Sequence, residues 1–229
     1  MTHQETVFGR VKSLMGFSGK DSRTLAEVES NPRTPGGFSA GSFEVLVIDV
    51  SGSMLANDYE PTRLDGAKTA SCAFLRKLRD VSPESLAAVV SFGDKGKIVC
   101  RPVRVGDGLA RLEAKVRGLK GDGCTNMASG LKLAEDLISR CTGCSGGRVV
   151  MLTDGFANEG GDPEPVAQNL KRQGVQLDII GIGGSPSEVN EEQLKRMASV
   201  VDHKKRYWFI KDVPALVKKF EALALREVK

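Results

Sequence analysis

The chain has 229 residues, room for one α/β domain with an extension. Its 33 basic and 29 acidic residues nearly balance, and no basic stripe interleaves with aromatics, so nucleic acid is excluded as the expected partner. Five cysteines are an odd number and too few for a small disulfide scaffold. Reduced thiols follow as the expectation, and no apolar run approaches the ~20 residues that span a bilayer. The short apolar run after Arg10 and Lys12 does not make a signal-peptide core. A cytoplasmic location with no membrane span is the resulting expectation.

Residues 1–41 read as an N-terminal extension. Val7, Val11, Leu14 and Met15 fall at helical spacing and predict one short helix. From 19 to 41 the residues are mostly Ser, Asp, Asn, Pro and paired Gly, the chemistry of a linker. Residues 42–229 then read as one folded domain.

Val45, Leu46, Val47 and Ile48 make 43–50 a strand covered on both faces. Apolar residues at three- and four-residue spacing predict a helix over 61–79, with Pro61 in its first turn. Strands at 86–92 and 97–103 are joined by only a few turn residues, so the second is expected to be an antiparallel edge. Helices are expected over 108–117 and 127–141, a strand over 148–152 and a helix over 162–173 that Gly174 stops. A strand at 175–182, a helix at 188–200, a strand at 206–210 and a closing helix at 213–228 complete the order. Strands alternating with helices predict an α/β fold: a doubly wound, mostly parallel, Rossmann-like six-stranded sheet with one antiparallel edge strand and helices on both faces.

In such sheets ligands sit outside the carboxyl ends of the strands. The first strand ends in Asp49-Val50-Ser51-Gly52-Ser53, which sets a carboxylate and two hydroxyls at alternate positions. In extended chain these point the same way, and a cluster of hard oxygens suits Mg²⁺, Mn²⁺ or Ca²⁺. The strand at 148–152 ends in Thr153-Asp154-Gly155, and the turn carrying Thr125 lies one helix before it. These three loops are expected to share one rim. A lone Ser or Thr after a strand is most often a helix N-cap, and Thr125 is read as a cap for its helix as well as a rim donor.

Asp49 to Ser53, Thr125 within Gly121-Asp-Gly-Cys-Thr125, and Thr153-Asp154-Gly155 together resemble the von Willebrand factor A domain of bacterial type. The resemblance covers about 42–228 and implies an intact metal-ion-dependent adhesion site. It implies that Ser51 and Ser53 ligate an ion directly. Thr125 would do so directly or through water, and Asp49 and Asp154 would hold coordinated waters. Mg²⁺ is the implied ion, with Mn²⁺ or Ca²⁺ as alternatives, and an Asp or Glu from a partner protein fills an exchangeable position. The run from Ser53 to Leu64 further resembles bacterial A domains of the aerotolerance (Bat) type, which are usually membrane-anchored. Gly52 and Gly155 are expected to let the backbone turn tightly. Asp58 and Glu60 are read as solvated, Asp122 and Asn126 as turn formers, and Trp208 as core.

Cys141-Thr-Gly-Cys144 ends a helix rather than opening one, so a redox role is not expected. The expected function is a metal-dependent protein-binding module that is not an enzyme. The alternative is the A-domain subunit of an assembly with an AAA+ ATPase, MoxR-like or chelatase-like. A Mg²⁺-dependent phosphoryl-transfer enzyme ranks below both, since neither histidine is near the motifs in sequence and no Walker-type lysine loop appears.

Overall fold

The computed structural model describes residues 41–121, 123–144 and 146–225. The predicted leader helix, the linker up to residue 40, Asp122 and the last three residues of the predicted closing helix lie outside them.

Six strands form one sheet: β1 (Phe43–Asp49), β2 (Leu86–Phe92), β3 (Gly96–Arg104), β4 (Gly147–Thr153), β5 (Gln176–Ile182) and, at the far edge, β8 (Tyr207–Ile210). The order across the sheet is β3-β2-β1-β4-β5-β8, and every neighbour pair is parallel except β2–β3. The doubly wound sheet with one antiparallel edge is therefore as predicted. β3 belongs at an edge by its chemistry too, because most of its side chains are at least partly exposed while all of β1 is buried.

Helices α1 (Arg63–Val81), α2 (Val105–Arg117) and α6 (Val213–Ala224) share a core with Leu46, Ile48, Val150, Leu152, Ile180 and Ile182. On the other face α3 (Met127–Ser139), α4 (Glu164–Arg172) and α5 (Glu191–Met197) pack with Val45, Val47, Val149, Met151, Leu177 and Ile179. Alternate residues of each strand thus feed opposite cores, which is why the central strands read as continuous apolar runs. The chain winds outward from β1 to β3, then returns to β4 on β1's other side. The switch point lies between β1 and β4, at Asp49 and Thr153.

Three local expectations are corrected. Pro61 stands outside α1, because Thr62 accepts the Asp65 N–H and caps the helix one residue later. The segment expected as a helix over 188–200 splits into a 3-10 turn at Pro186–Glu188 and the shorter α5. A small hairpin, β6 (Val200–Val201) and β7 (Lys204–Lys205), then appears with Asp202 and His203 in the left-handed region. Cys141 and Cys144 are joined as a disulfide, where reduced thiols were expected. Among the described residues no helix is long and apolar enough to cross a membrane.

At the amino ends of the strands lies a buried row of charges. Arg148 Nε donates to Glu44 Oε2 at 2.6 Å, and Arg206 grips both oxygens of Asp178 at 2.6 and 2.8 Å. Arg148 Nη1 also donates to Leu223 O at 2.8 Å and so ties β4 to the end of α6.

Candidate metal centre

β1 delivers Asp49 to the switch point fully buried. Its Oδ1 accepts the Ser51 N–H at 2.8 Å and its Oδ2 accepts the Thr153 hydroxyl at 2.6 Å. One carboxylate thus fixes the turn after β1 and joins it to the end of β4. The chain then makes a 3-10 turn over Gly52–Leu55, which lifts Ser53 toward solvent while Met54 is buried beneath. Tyr59, also buried, donates its hydroxyl to Ile210 O and anchors the rest of that loop.

Ser51 Oγ lies 3.1 Å from Ser53 Oγ, and Ser53 Oγ donates to Asp154 Oδ1 at 2.8 Å. Thr125 reaches the same spot: a Cβ built on Gly155 would lie 3.7 Å from Thr125 Oγ1 and 3.8 Å from Ser53 Oγ. The structure therefore brings Ser51, Ser53, Thr125 and Asp154 to one place, with Asp49 behind them. The role expected for the two glycines changes. Neither Gly52 nor Gly155 has a positive φ, so neither is required by a left-handed turn, and Gly155 leaves out a Cβ that would stand in ordinary contact with the Thr125 and Ser53 hydroxyls.

Thr125 does not cap its helix. Asn126 does, accepting the Ser129 N–H at 3.0 Å, which leaves the Thr125 hydroxyl to the rim. Two residues unremarkable in the sequence place that loop. Asn158 Oδ1 accepts the Thr125 N–H and Thr125 O accepts the Asn158 N–H. Asp94, in the β2–β3 turn, accepts the Cys124 N–H at 2.6 Å. Gly123 is the position where a glycine is needed: its φ is +82°, a side chain there would strike Asp94, and its carbonyl takes the Gly52 N–H.

The rim is charged unevenly. Burial, then the charge of Asp154, pushes the Asp49 carboxyl up to about 7, against the bonds from Ser51 and Thr153. Burial also raises Asp154, opposed by its bonds from Ser53 and Arg63. Arg63 Nη1 meets Asp154 Oδ2 at 3.0 Å, and the same guanidinium pairs with Asp58 and Glu188. Asp58, expected to be solvated, is thus an ion-pair partner. Three carboxylates around one guanidinium leave this cluster with two formal negative charges, and Asp154 carries it to the Ser53 hydroxyl. Hydroxyl oxygens gathered with carboxylates in net excess of positive charge fit a hard divalent cation.

A doubly wound domain with oxygen donors gathered at its switch point is the class that fold and site define. Residues 45–156 match the family model of the von Willebrand factor type A domain, and the chain carries a domain of that family. It is 31% identical over 162 residues to the uncharacterized protein YfbK of Escherichia coli (strain K12), a match covering 68% of this chain and 26% of the relative. The chain thus spans about a quarter of that relative's length. Among solved structures, the von Willebrand factor type A protein from Catenulispora acidiphila superposes with a TM-score of 0.67 at 22% identity, over 81% of this chain and 42% of the other. The conserved hypothetical protein BatB from Bacteroides thetaiotaomicron does so with a TM-score of 0.64 at 19% identity, over 80% and 96%. At these identities the two structures establish the fold.

Proposed function

We propose that residues 42–229 act as a metal-dependent protein-binding module. In this reading Ser51, Ser53 and Thr125 present their hydroxyl oxygens to Mg²⁺, and Asp49 and Asp154 act from behind them. The observation that carries the reading is the contact between Ser53 Oγ and Asp154 Oδ1, which joins two loops at the switch point and aims hydroxyls and carboxylate at one space. Asp49 has both oxygens engaged by Ser51 and Thr153, so its task is to hold the first loop while lending negative charge. A bound Mg²⁺ supplies positive charge and an exchangeable position, which an Asp or Glu of a partner protein fills. Gly155 adds no side chain next to the donors, where a Cβ would already meet the Thr125 and Ser53 hydroxyls. Leu55 and Phe156, each half exposed on two of the rim loops, offer apolar contact around the acidic group.

The test is a calorimetric titration of the chain with Mg²⁺, followed by a pull-down with and without EDTA. Saturable uptake and EDTA-sensitive capture of a protein support the reading. No uptake at millimolar Mg²⁺ overturns it.

A further inference from the structure

Arg63 opens α1 beneath the rim, and its side chain is only 9% exposed. Nε and Nη2 grip the two oxygens of Asp58 at 2.7 and 2.5 Å, Nη1 donates to Asp154 Oδ2 at 3.0 Å, and Nη2 also donates to Glu188 Oε2. The three carboxylates belong to three loops: Asp58 between β1 and α1, Asp154 after β4, and Glu188 after β5. The glycines after β5 are shaped around this clamp. A Cβ on Gly183 would approach Glu188 Oε2 to 2.9 Å, and one on Gly184 would approach Asp58 Oδ2 to 3.2 Å.

We propose that Arg63 is a positioning residue for the cation: by holding Asp154 Oδ2 it commits that carboxylate to orienting Ser53 and keeps it from ligating the ion directly. The inference rests on the metal-dependent reading above and deepens it. Asp154 has Oδ1 occupied by the Ser53 hydroxyl and Oδ2 by a charge-assisted bond, the stronger kind. To swing onto the ion it must leave both, and a buried guanidinium then loses a partner. Asp58 and Glu188 in turn hold Arg63 in place, so the clamp does not relax by rotation of one side chain. An ion met by hydroxyls and waters keeps more positive charge for an incoming acid than one already neutralised by a carboxylate. Mg²⁺ keeps waters readily, whereas Ca²⁺ gains from each added charged oxygen. Arg63 therefore sets both the choice of ion and the openness of the site. Lysine does not replace it, because one ammonium lacks the planar fork that spans three acids.

The test is calorimetric titration with Mg²⁺ alone and with Ca²⁺ alone, on the unmodified chain, Arg63→Gln, Arg63→Lys and the double variant Asp58→Asn/Glu188→Gln. Melting curves check that each is folded. Arg63→Gln is expected to raise Ca²⁺ affinity relative to Mg²⁺ on the order of tenfold, since charge count tunes such sites over decades. Arg63→Lys is expected to follow Gln, and the double variant to move the same way by less. Should Arg63→Gln not fold, the double variant decides, because it loosens the clamp from outside the rim. If the unmodified chain binds metal and the Ca²⁺-to-Mg²⁺ ratio stays unchanged in every folded variant, the role of Arg63 is overturned alone. If the unmodified chain binds neither ion, the metal reading falls and takes this inference with it.

Discussion

Ser53 and Asp154, 101 residues apart in sequence, meet in a 2.8 Å hydrogen bond at the point where the sheet reverses its winding. The bond couples the loop after β1 to the loop after β4, and Ser51 extends it at 3.1 Å. A substitution that removes one hydroxyl without disturbing the carboxylates isolates the donor set from the scaffold. Ser51→Ala does this better than Asp154→Ala, which would also strip a partner from the buried Arg63. A ligand at a hundred times its dissociation constant stabilises by about 2.7 kcal/mol. Saturating Mg²⁺ is thus expected to raise the Tm of the unmodified chain by several degrees and that of Ser51→Ala by little or nothing. Equal shifts in thermal melts with and without EDTA would refute the assignment.

Asp49 makes the metal-free protein sensitive to pH. Its carboxyl is raised to about 7, chiefly by burial, so the folded chain holds the proton more tightly than the unfolded chain does. This contribution is fully present below about pH 4 and is lost as pH rises through about 7. Removing the ionisation without removing the acceptor tests it: Asp49→Asn keeps an oxygen for the Ser51 N–H, whereas Asp49→Ala abandons both that donor and the Thr153 hydroxyl. In EDTA the Tm of Asn relative to the parent is expected to rise from pH 5 to about pH 7 and to level off above it. A difference flat across that range counts against a buried, reluctant carboxylate.

Gly155 separates access from folding. A Cβ there meets Thr125 Oγ1 and Ser53 Oγ at ordinary contact distance, and its φ is not positive. Gly155→Ala is therefore expected to fold with an unchanged or slightly higher Tm, as alanine restricts the unfolded chain. Gly155→Val extends a branch over the hydroxyls and is expected to weaken Mg²⁺ uptake at least about tenfold, a cost of about 1.4 kcal/mol. Calorimetry on both variants checks the order. Val binding as tightly as the parent would show that the space is not the route to the donors.

The fold was legible because its signals are local. The apolar run of β1 and the short turn before β3 specify a central strand and an antiparallel edge from a few residues each. The loops at the switch point were legible for the same reason, since their hydroxyls and acids follow directly on strand ends. What stayed hidden depends on lateral pairing. Nothing near Arg63 in the chain announces that Asp154 and Glu188 will surround it. Asn158 and Asp94 bond to backbone far away in sequence, and polar loop residues of that kind look alike until the fold is known. The β6–β7 hairpin turns on Asp202 and His203, a weaker turn signal than Asn-Gly. Glu44, Arg148 and Asp178 interrupt apolar strands, and only the register shows Glu44 opposite Arg148.

That buried row of charges yields a prediction about stability rather than binding. Arg148 is almost wholly buried between Glu44 and Asp178, with its contact to Leu223 O closing the end of α6. A buried pair contributes little net stability over apolar replacements, yet breaking it from one side costs about 3–5 kcal/mol because the other charge is stranded. Arg148→Met alone strands Glu44 and is expected to lower the Tm by roughly 10 °C, given about 2–4 °C per kcal/mol for a domain of this size. The double variant Glu44→Met/Arg148→Met removes both charges and is expected to recover at least half of that loss. The Mg²⁺-dependent Tm shift is expected to persist in the double variant, because the row sits at the strands' amino ends and the rim at their carboxyl ends. Thermal melting of the two variants supplies the measurement. A double variant no more stable than the single would show that the charges stabilise the sheet in their own right.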